Sequence, residues 1–404
     1  MKRYIVVLIL LWIVLPNVAQ EPISELEARL SVIPGNLMQL EMVSYVDFEN
    51  VVAGRPGAPQ VTSWEEFAAL DDPSVLNAAY MGIPIEPNFF IVIHAHAEHM
   101  PEVMGFNSFD VSAAVNAASL KIIWGDFDVN TVIAAHESRG FIVSELDDYP
   151  LLCSADGCDA GNQRSDSAVD NTNIFGGRYG FSQPTIVSED MIASSSSYDM
   201  MISMVSDTTH VTDSLYVQTA LDVIDNTEGL LIQATLLDGL RILPAAFGFA
   251  PSTMMAGMSA EQMEEAFASL EEAFEAFPRF NMVAISDHAT ETEQIVSVIL
   301  TFNDEESAQI AADILPRRIE TENLIFPAEP FTTRLERYDG TYETSVFTSE
   351  RTGYSAAVIT FRAPLADNEL IPIEGIMMPS SRLYGFVMQI VSNNDLRWLA
   401  PEWE

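Results

Sequence analysis

Segments of strand length recur along the chain, in which apolar residues either alternate with polar ones or form a continuous run. Polar segments that carry turn residues separate them. Period-two alternation and short apolar runs are typical of β-strands. We predict strands in NLMQLEMVSYVDF, NFFIVIHAHA, LKIIWGDF, TIVSEDMIAS and GLLIQATLL, then hairpins from RFNMVAISDH with TEQIVSVILTF and within TYETSVFTSERTGYSAAVITFRAP. The strands are therefore spread over the whole chain, and the last four pair as hairpins.

Helix signals lie between these strands. Ser63 with Glu66 forms a capping box, and Asp128 precedes a helical segment that stops at Gly140. Further helices are predicted in DDPSVLNAAYMG, DVSAAVNAAS capped by Asp110, SYDMMISMVSD, SLYVQTALDVIDNT, SAEQMEEAFASLEEAFEAFP, NDEESAQIAADIL capped by Asn303, and SSRLYGFVMQIVSNND. Hairpin followed by helix, twice, favours an α+β fold of two layered halves, with antiparallel-rich sheets, helices packed on one face, and ferredoxin-like character.

The N-terminus has the layout of a secretory signal peptide. Lys2 and Arg3 precede an apolar run from Tyr4 to Leu15, and the small residue Ala19 follows. This run is shorter than the roughly 20 residues that cross a bilayer. We predict a signal peptide over 1–20, cleaved or kept as an anchor, and an extracytoplasmic protein, secreted or in the cell envelope, with no transmembrane segment in the mature chain.

Two polar or irregular stretches divide the rest of the chain. One is rich in Gly, Asn and Asp and spans 154–184, and the other, GLRILPAAFGFAPSTMMAG, follows the strand GLLIQATLL. We therefore predict an N-terminal α+β half over 21–240, with a long polar loop at 154–184, and a C-terminal α+β half over 241–404.

The charge balance narrows the possible partners. The chain has 59 Asp and Glu residues against 18 Lys and Arg residues, for a formal net charge of −41. Such a surface repels nucleic acid and anionic membranes and attracts cations and basic partners. Adaptation to high salt and calcium binding both explain the acidity, and the even spread of the acids along the chain favours the former.

The two cysteines, Cys153 and Cys158, lie close together in LLCSADGCDAGNQ. In an oxidising compartment this spacing predicts a disulfide, which by loop entropy contributes roughly 2 kcal/mol. The chain contains no N-x-S/T sequon, which fits an exported bacterial protein.

A histidine cluster follows the predicted strand NFFIVIHAHA. His94 and His96 project to one face of a strand, and a turn brings His99 back towards them. Two or three converging imidazoles suit zinc. The alternative is a strand end whose histidines are partly exposed.

The string from His94 to His99 also resembles the H-x-H-x-D-H motif of the metallo-β-lactamase family, with Glu98 in place of the aspartate. The resemblance implies a zinc-dependent hydrolase with a metal-bound hydroxide as nucleophile. It places His210 and His288 at the positions of the later metal ligands. The motif covers six residues, and the glycine that flanks the later histidine is absent around His210.

Two segments are candidates for calcium. Asp126, Asp128, Asn130 and Glu137 follow the spacing of a calcium-binding loop, but Thr131 occupies the position that requires glycine. The long loop offers a second candidate set, Asp156, Asp159 and Asp166 with Asn162. The same residues also serve as strand ends, helix caps and solvated loop residues.

Other motifs favour packing over chemistry. The methionines at 254, 255, 258 and 263 are candidates for copper, but they belong to an apolar junction and a helix face. The chain has no G-x-S-x-G motif, and its Gly176–Gly177 pair lacks the lysine of a phosphate-binding loop.

A broader set of segments, YVDFENVVAGRPGA, WGDFD, CSADGCDAG, IFGG and IVSEDMIAS, resembles a group of uncharacterised exported bacterial proteins. That resemblance implies no particular activity. We therefore predict a secreted or cell-envelope protein that is non-enzymatic, has no cofactor, and binds or scaffolds an unknown protein or envelope component. The alternative function is a zinc-dependent hydrolase, and the alternative to a protein without a cofactor is one that binds zinc or calcium.

Overall fold

The computed structural model describes residues 24–35, 42–54, 61–71, 98–117, 120–154, 157–158, 174–175, 183–206, 209–239, 277–321, 324, 329–365, 370–373, 376–379, 383–392 and 397–399. The predicted signal peptide, the strand NFFIVIHAHA, the methionine group and the Gly176–Gly177 pair lie outside these residues, as do most of the helices DDPSVLNAAYMG and SAEQMEEAFASLEEAFEAFP and most of the loop 154–184.

The described residues contain helices and strands along their whole length. The strands are Val43–Asp47 (β1), Val111–Ala117 (β2), Leu120–Gly125 (β3), Ile142–Leu146 (β4), Tyr149–Cys153 (β5), Thr185–Val187 (β6), Met191–Ser195 (β7), Leu230–Asp238 (β8), Met282–Ala289 (β9), Glu293–Phe302 (β10), Thr341–Thr348 (β11), Ser355–Pro364 (β12), Leu370–Ile373 (β13) and Ile376–Pro379 (β14). The α-helices are Glu25–Leu30 (α1), Phe48–Ala53 (α2), Trp64–Ala68 (α3), Met100–Val103 (α4), Val129–Ser138 (α5), Tyr198–Val205 (α6), Leu215–Asp225 (α7), Glu305–Thr321 (α8), Phe331–Glu336 (α9) and Leu383–Ser392 (α10).

Twelve strands form one antiparallel sheet, in the order β11-β12-β10-β9-β8-β1-β2-β3-β7-β6-β5-β4, and β13 pairs with β14 separately. The α+β class predicted from the sequence is therefore confirmed. The sheet continues across the predicted boundary at 240, because β8 pairs with β9 in a register that aligns Leu236 with Ala284. The division of the chain into two halves stays a prediction.

Helices cover both faces of this sheet, whereas the order of hairpins and helices in the sequence predicted them on one face. Successive residues of a strand point to opposite faces, so Tyr45 and Val46 of β1 belong to different apolar clusters. The first face carries α1, α6 and α7. The second face carries α8, α9 and α10 over the C-terminal strands, with α2, α4 and α5 over the N-terminal strands. A hairpin followed by a helix in the sequence does not by itself determine which face of the sheet the helix covers.

Capping residues place several helix starts where the sequence predicts them. The Ser63 Oγ accepts a hydrogen bond from the Glu66 N–H at 3.2 Å, and the Asp128 carboxylate accepts one from the Thr131 N–H at 3.1 Å. Helix α8 starts one residue later than predicted, because Asp304 accepts from the Ser307 N–H in the capping role that the sequence analysis gave to Asn303.

The helix predicted in DVSAAVNAAS is wrong, because residues Val111–Ala117 form β2. Asp110 instead ends a short 3-10 turn, where its carboxylate accepts a hydrogen bond from the Asn107 N–H at 2.8 Å, and β2 then pairs with β1 on one side and β3 on the other. Its alanines suit a helix in isolation, but hydrogen bonding to two neighbouring strands outweighs that propensity. The prediction of a single strand in TIVSEDMIAS is also wrong, because the segment forms a hairpin of β6 and β7.

Among the described residues, no helix combines the length and the apolar character that spanning a bilayer requires.

Candidate functional site

The structure describes two of the four predicted zinc ligands, and these two flank different faces of the sheet. His99 is exposed and precedes α4, whose Met100 packs on the second face. His210 precedes a 3-10 turn whose Val211 packs on the first face. His94 and His96 lie outside the described residues. In the described part of the chain no three His, Cys, Asp or Glu side chains converge as metal ligands, and the zinc set stays a prediction.

The first calcium candidate is used as a helix start instead. Helix α5 begins at Val129, so Asn130, Thr131 and Glu137 lie within a helix and not in a loop that wraps an ion. Burial raises the pKa of Asp110. The negative charge of neighbouring Asp126, which is itself exposed, raises the pKa of Asp110 further. Asp156, Asp159 and Asp166 of the second candidate lie outside the described residues.

The cysteines form the predicted disulfide. Cys153 is the last residue of β5 and is buried, and its Cα lies 4.8 Å from the Cα of Cys158. Cys158 packs against the apolar cluster on the first face of the sheet. The disulfide therefore fixes the end of β5 to the core beneath it.

The hairpin that this disulfide supports was not predicted from the sequence. Strands β4 and β5 pair in a register that aligns Leu146 with Tyr149, so Asp147 and Asp148 alone form the turn. Asp147 adopts a positive φ of 54°, which the first residue of a two-residue hairpin turn requires and which Asp tolerates better than most residues. Two acidic residues between the apolar runs FIVSEL and YPLLC are the signal that would have predicted the turn.

The hairpin places β4 at the end of the twelve-stranded sheet. Its partner β5 is covered, with Leu151 and Leu152 fully buried on opposite faces, whereas four of the five residues of β4 are exposed. No strand in the described residues pairs with the outer side of β4. The outer side is therefore an open sheet edge held in place by a rigid neighbour.

The turn also determines which backbone groups face outward. Residues that flank a two-residue turn exchange both hydrogen bonds, and the pattern then alternates along the hairpin. Leu146, Ser144 and Ile142 consequently bond to β5, while Val143 and Glu145 direct their N–H and C=O groups to the open edge. Pro150, opposite Glu145, fits this assignment because a residue at a position without a cross-strand bond needs no N–H on that side.

Apolar side chains accompany these backbone groups. Six large apolar residues of the described chain are more than a third exposed, and two of them, Ile142 at 52% and Val143 at 38%, are neighbours on β4. They project to opposite faces, because Ile142 pairs with Cys153 and Val143 with Leu152. An exposed edge with apolar side chains, with Glu145 as its one charged residue and without Lys or Pro, has little of the usual protection against pairing with another strand.

The other end of the sheet is different. Strand β11 is covered on its inner face by α8, and the Tyr342 hydroxyl lies 3.4 Å from the Pro316 carbonyl oxygen of that helix. In the described residues β11 has no large apolar side chain that is more than a third exposed. Among the two edges, β4 is therefore the better surface for adding a strand.

A buried polar network crosses the middle of the second face. Asp287 is fully buried, and its two carboxylate oxygens accept hydrogen bonds from the Gln233 and Gln294 side-chain amides, each at 2.8 Å. Gln294 in turn accepts from the Leu383 N–H at the start of α10 at 3.1 Å. A β-bulge between Leu231 and Gln233 changes the register there. The network connects β8, β9, β10 and α10 and lies between two apolar clusters. We therefore assign it a structural role.

His288, the next residue of β9, points to the opposite face. Its ring is 1% exposed and hydrogen bonds to the backbone of Ile224 in α7. Burial lowers the pKa of His288 to about 4, so the ring is neutral in the folded protein at neutral pH. The metallo-β-lactamase resemblance assigned His288 to a metal site, and the structure places it under α7 in the centre of the sheet.

Comparisons with known proteins add little to this description. No family model and no curated protein matches the chain. Two solved structures of TP0453 align with it: crystal form I at 9% identity and a TM-score of 0.33, covering 89% of this chain and 98% of TP0453, and crystal form III at 8% identity and a TM-score of 0.35, covering 89% and 97%. At these scores the similarity carries no argument about fold or function.

Proposed function

We propose that the protein is an extracytoplasmic binding protein that captures an extended segment of a partner polypeptide by strand addition at β4. The observation that carries this proposal is the open edge of β4, where the backbone groups of Val143 and Glu145 lie beside the exposed side chains of Ile142 and Val143. In strand addition the backbone hydrogen bonds supply affinity and the flanking side chains supply selectivity.

The rigidity of the hairpin supports the proposal. The buried residues of β5 and the Cys153–Cys158 disulfide hold β4 in an extended conformation before a partner arrives. A pre-organised edge lowers the entropy that binding must overcome, because only the partner segment has to become ordered. The disulfide and the signal-like N-terminus support the extracytoplasmic location.

The test uses the chain from 21 to 404 and a fluorescent, blocked peptide of alternating valine and threonine, with binding followed by anisotropy. Val143→Pro removes one outward N–H and leaves the β4–β5 bonds of Ile142 and Ser144 in place. We expect it to weaken binding by about tenfold, which corresponds to the loss of one hydrogen bond.

Val143→Thr is the matched control, because it keeps both the N–H and a β-branched side chain, and it should bind the peptide as the wild type does. Circular dichroism checks that both variants fold. Equal binding by Val143→Pro and the wild type, or no binding of the peptide by the wild type, would overturn the proposal.

A further inference from the structure

The open edge of β4 is acidic as well as apolar. Glu145 lies on the same face as Val143, and Asp147 and Asp148 follow in the turn, all of them exposed. In the described residues none of these three carboxylates takes part in an ion pair. The whole chain carries a net charge of −41, so nothing in its overall charge compensates this local excess.

Pairing geometry converts that charge into a sequence preference. A strand added to β4 places one side chain directly opposite Glu145, with the two Cβ atoms about 4.5–5.5 Å apart. An opposite charge there stabilises the pair and a like charge destabilises it. Two residues along the partner, on the same face, another side chain meets the exposed Val143, where an apolar residue fits best.

On this basis, and resting on the proposed function, we infer that the occupant of the β4 edge is an extended basic segment. It carries Lys or Arg opposite Glu145 and an apolar residue two positions away, opposite Val143. The apolar Ile142 on the other face accepts either an apolar residue or threonine. The partner is thus a polypeptide whose alternate residues combine positive charge with β-branched or aromatic side chains.

The test compares three blocked peptides in which threonine occupies every second position. The positions between the threonines are valine, X and valine, where X is lysine, glutamine or glutamate. We expect the lysine peptide to bind the wild type up to about fivefold more tightly than the glutamine peptide, and the glutamate peptide to bind more weakly. Glu145→Lys should reverse this order. Glu336→Lys, which changes an exposed acid at the end of α9 by the same charge, should leave the order unchanged.

The outcomes separate this inference from the proposed function. The inference of a basic partner is wrong if the preference for lysine persists in Glu145→Lys or if X has no effect on binding. If Val143→Pro still weakens binding in that case, the proposal of strand addition is retained. If Val143→Pro has no effect on the binding of any of the three peptides, both the strand addition and the basic partner are wrong.

Discussion

Neighbouring residues of β9 show how the fold sets the chemistry of a side chain. Asp287 and His288 follow one another, yet one joins the hydrogen-bonded network of the second face and the other lies under α7 on the first. Asp287 receives two amide donors, which compensate for burying a carboxyl group. His288 receives one backbone hydrogen bond and, within the described residues, no carboxylate partner that would favour its charged form, so burial lowers its pKa.

His288 should make stability depend on pH. Its pKa is about 4 in the folded protein and about 6.5 in the unfolded chain, so between these values the unfolded state binds more protons and stability falls as pH falls. We expect a loss on the order of 1 kcal/mol per pH unit over this window. Urea unfolding of the wild type and of His288→Leu at several pH values measures it.

The comparison with His288→Leu isolates this effect from the carboxyl groups. Burial is also the main cause that raises the pKa values of Asp47, Asp110 and Asp225, and a raised carboxyl pKa favours the folded state at low pH. These groups remain in both proteins. Parallel pH curves for the two proteins would contradict a neutral, buried His288.

At the level of helices and strands, local signals and neighbours compete. The caps of α3 and α5 act within four residues, and the structure follows them. The alanine-rich segment of β2 also follows a capping residue, Asp110, yet its two neighbouring strands determine its conformation. The β4–β5 hairpin combines both influences, because a local turn forms it and the core beneath β5 holds it.

The disulfide should contribute measurably to this hairpin. We expect its reduction to cost about 2 kcal/mol of unfolding free energy, because only a short loop is closed. It should also speed hydrogen exchange of the β4 and β5 amides, because the end of β5 is then no longer tied to the core. Urea unfolding and exchange with and without reductant measure both effects.

The double variant Cys153→Ala/Cys158→Ala serves as the control, since reductant cannot act on it. Its stability should be equal in both conditions and should match the reduced wild type within the cost of the small cavity at Cys153. Unchanged exchange rates in the reduced wild type would show that the hairpin does not depend on the disulfide.

The molecule as a whole combines apolar clusters on both faces of one sheet with a strong excess of negative charge. Ion pairs neutralise only part of that charge. One example is Arg351, which bridges Glu27 of α1 at 2.8 Å and Asp222 of α7 at 2.7 Å from the turn between β11 and β12. This bridge is only partly exposed, but the 59 acidic residues far outnumber the 18 basic ones, so repulsion among the remaining acids dominates the electrostatic contribution to folding.

Stability should therefore rise with salt. Between about 0.05 M and about 1 M NaCl the screening length falls from more than 10 Å to about 3 Å. We expect the free energy of unfolding to rise by on the order of 2 kcal/mol, a sizeable part of the 5–15 kcal/mol typical of a domain. Thermal and urea unfolding over this range measure it.

Calcium at constant ionic strength separates the two explanations of the acidity. If about 1 mM CaCl2 alone stabilises the protein as strongly as high NaCl does, the result supports specific calcium binding as the reason for the acidity and not general screening. A stability that falls or stays constant as NaCl rises would contradict the dominance of repulsion.

Features set by nearby residues were predictable from the sequence, because their causes lie within a few positions. These include the α+β class, most of the strands and helices, several caps, the acidity and the disulfide between Cys153 and Cys158. The joining of twelve strands into one sheet, the two-sided cover of helices, the burial of His288 and the exposure of β4 depend on residues far apart in the chain. Strand pairing and burial are set by which distant surfaces meet, and apolar periodicity describes each segment without identifying its neighbour.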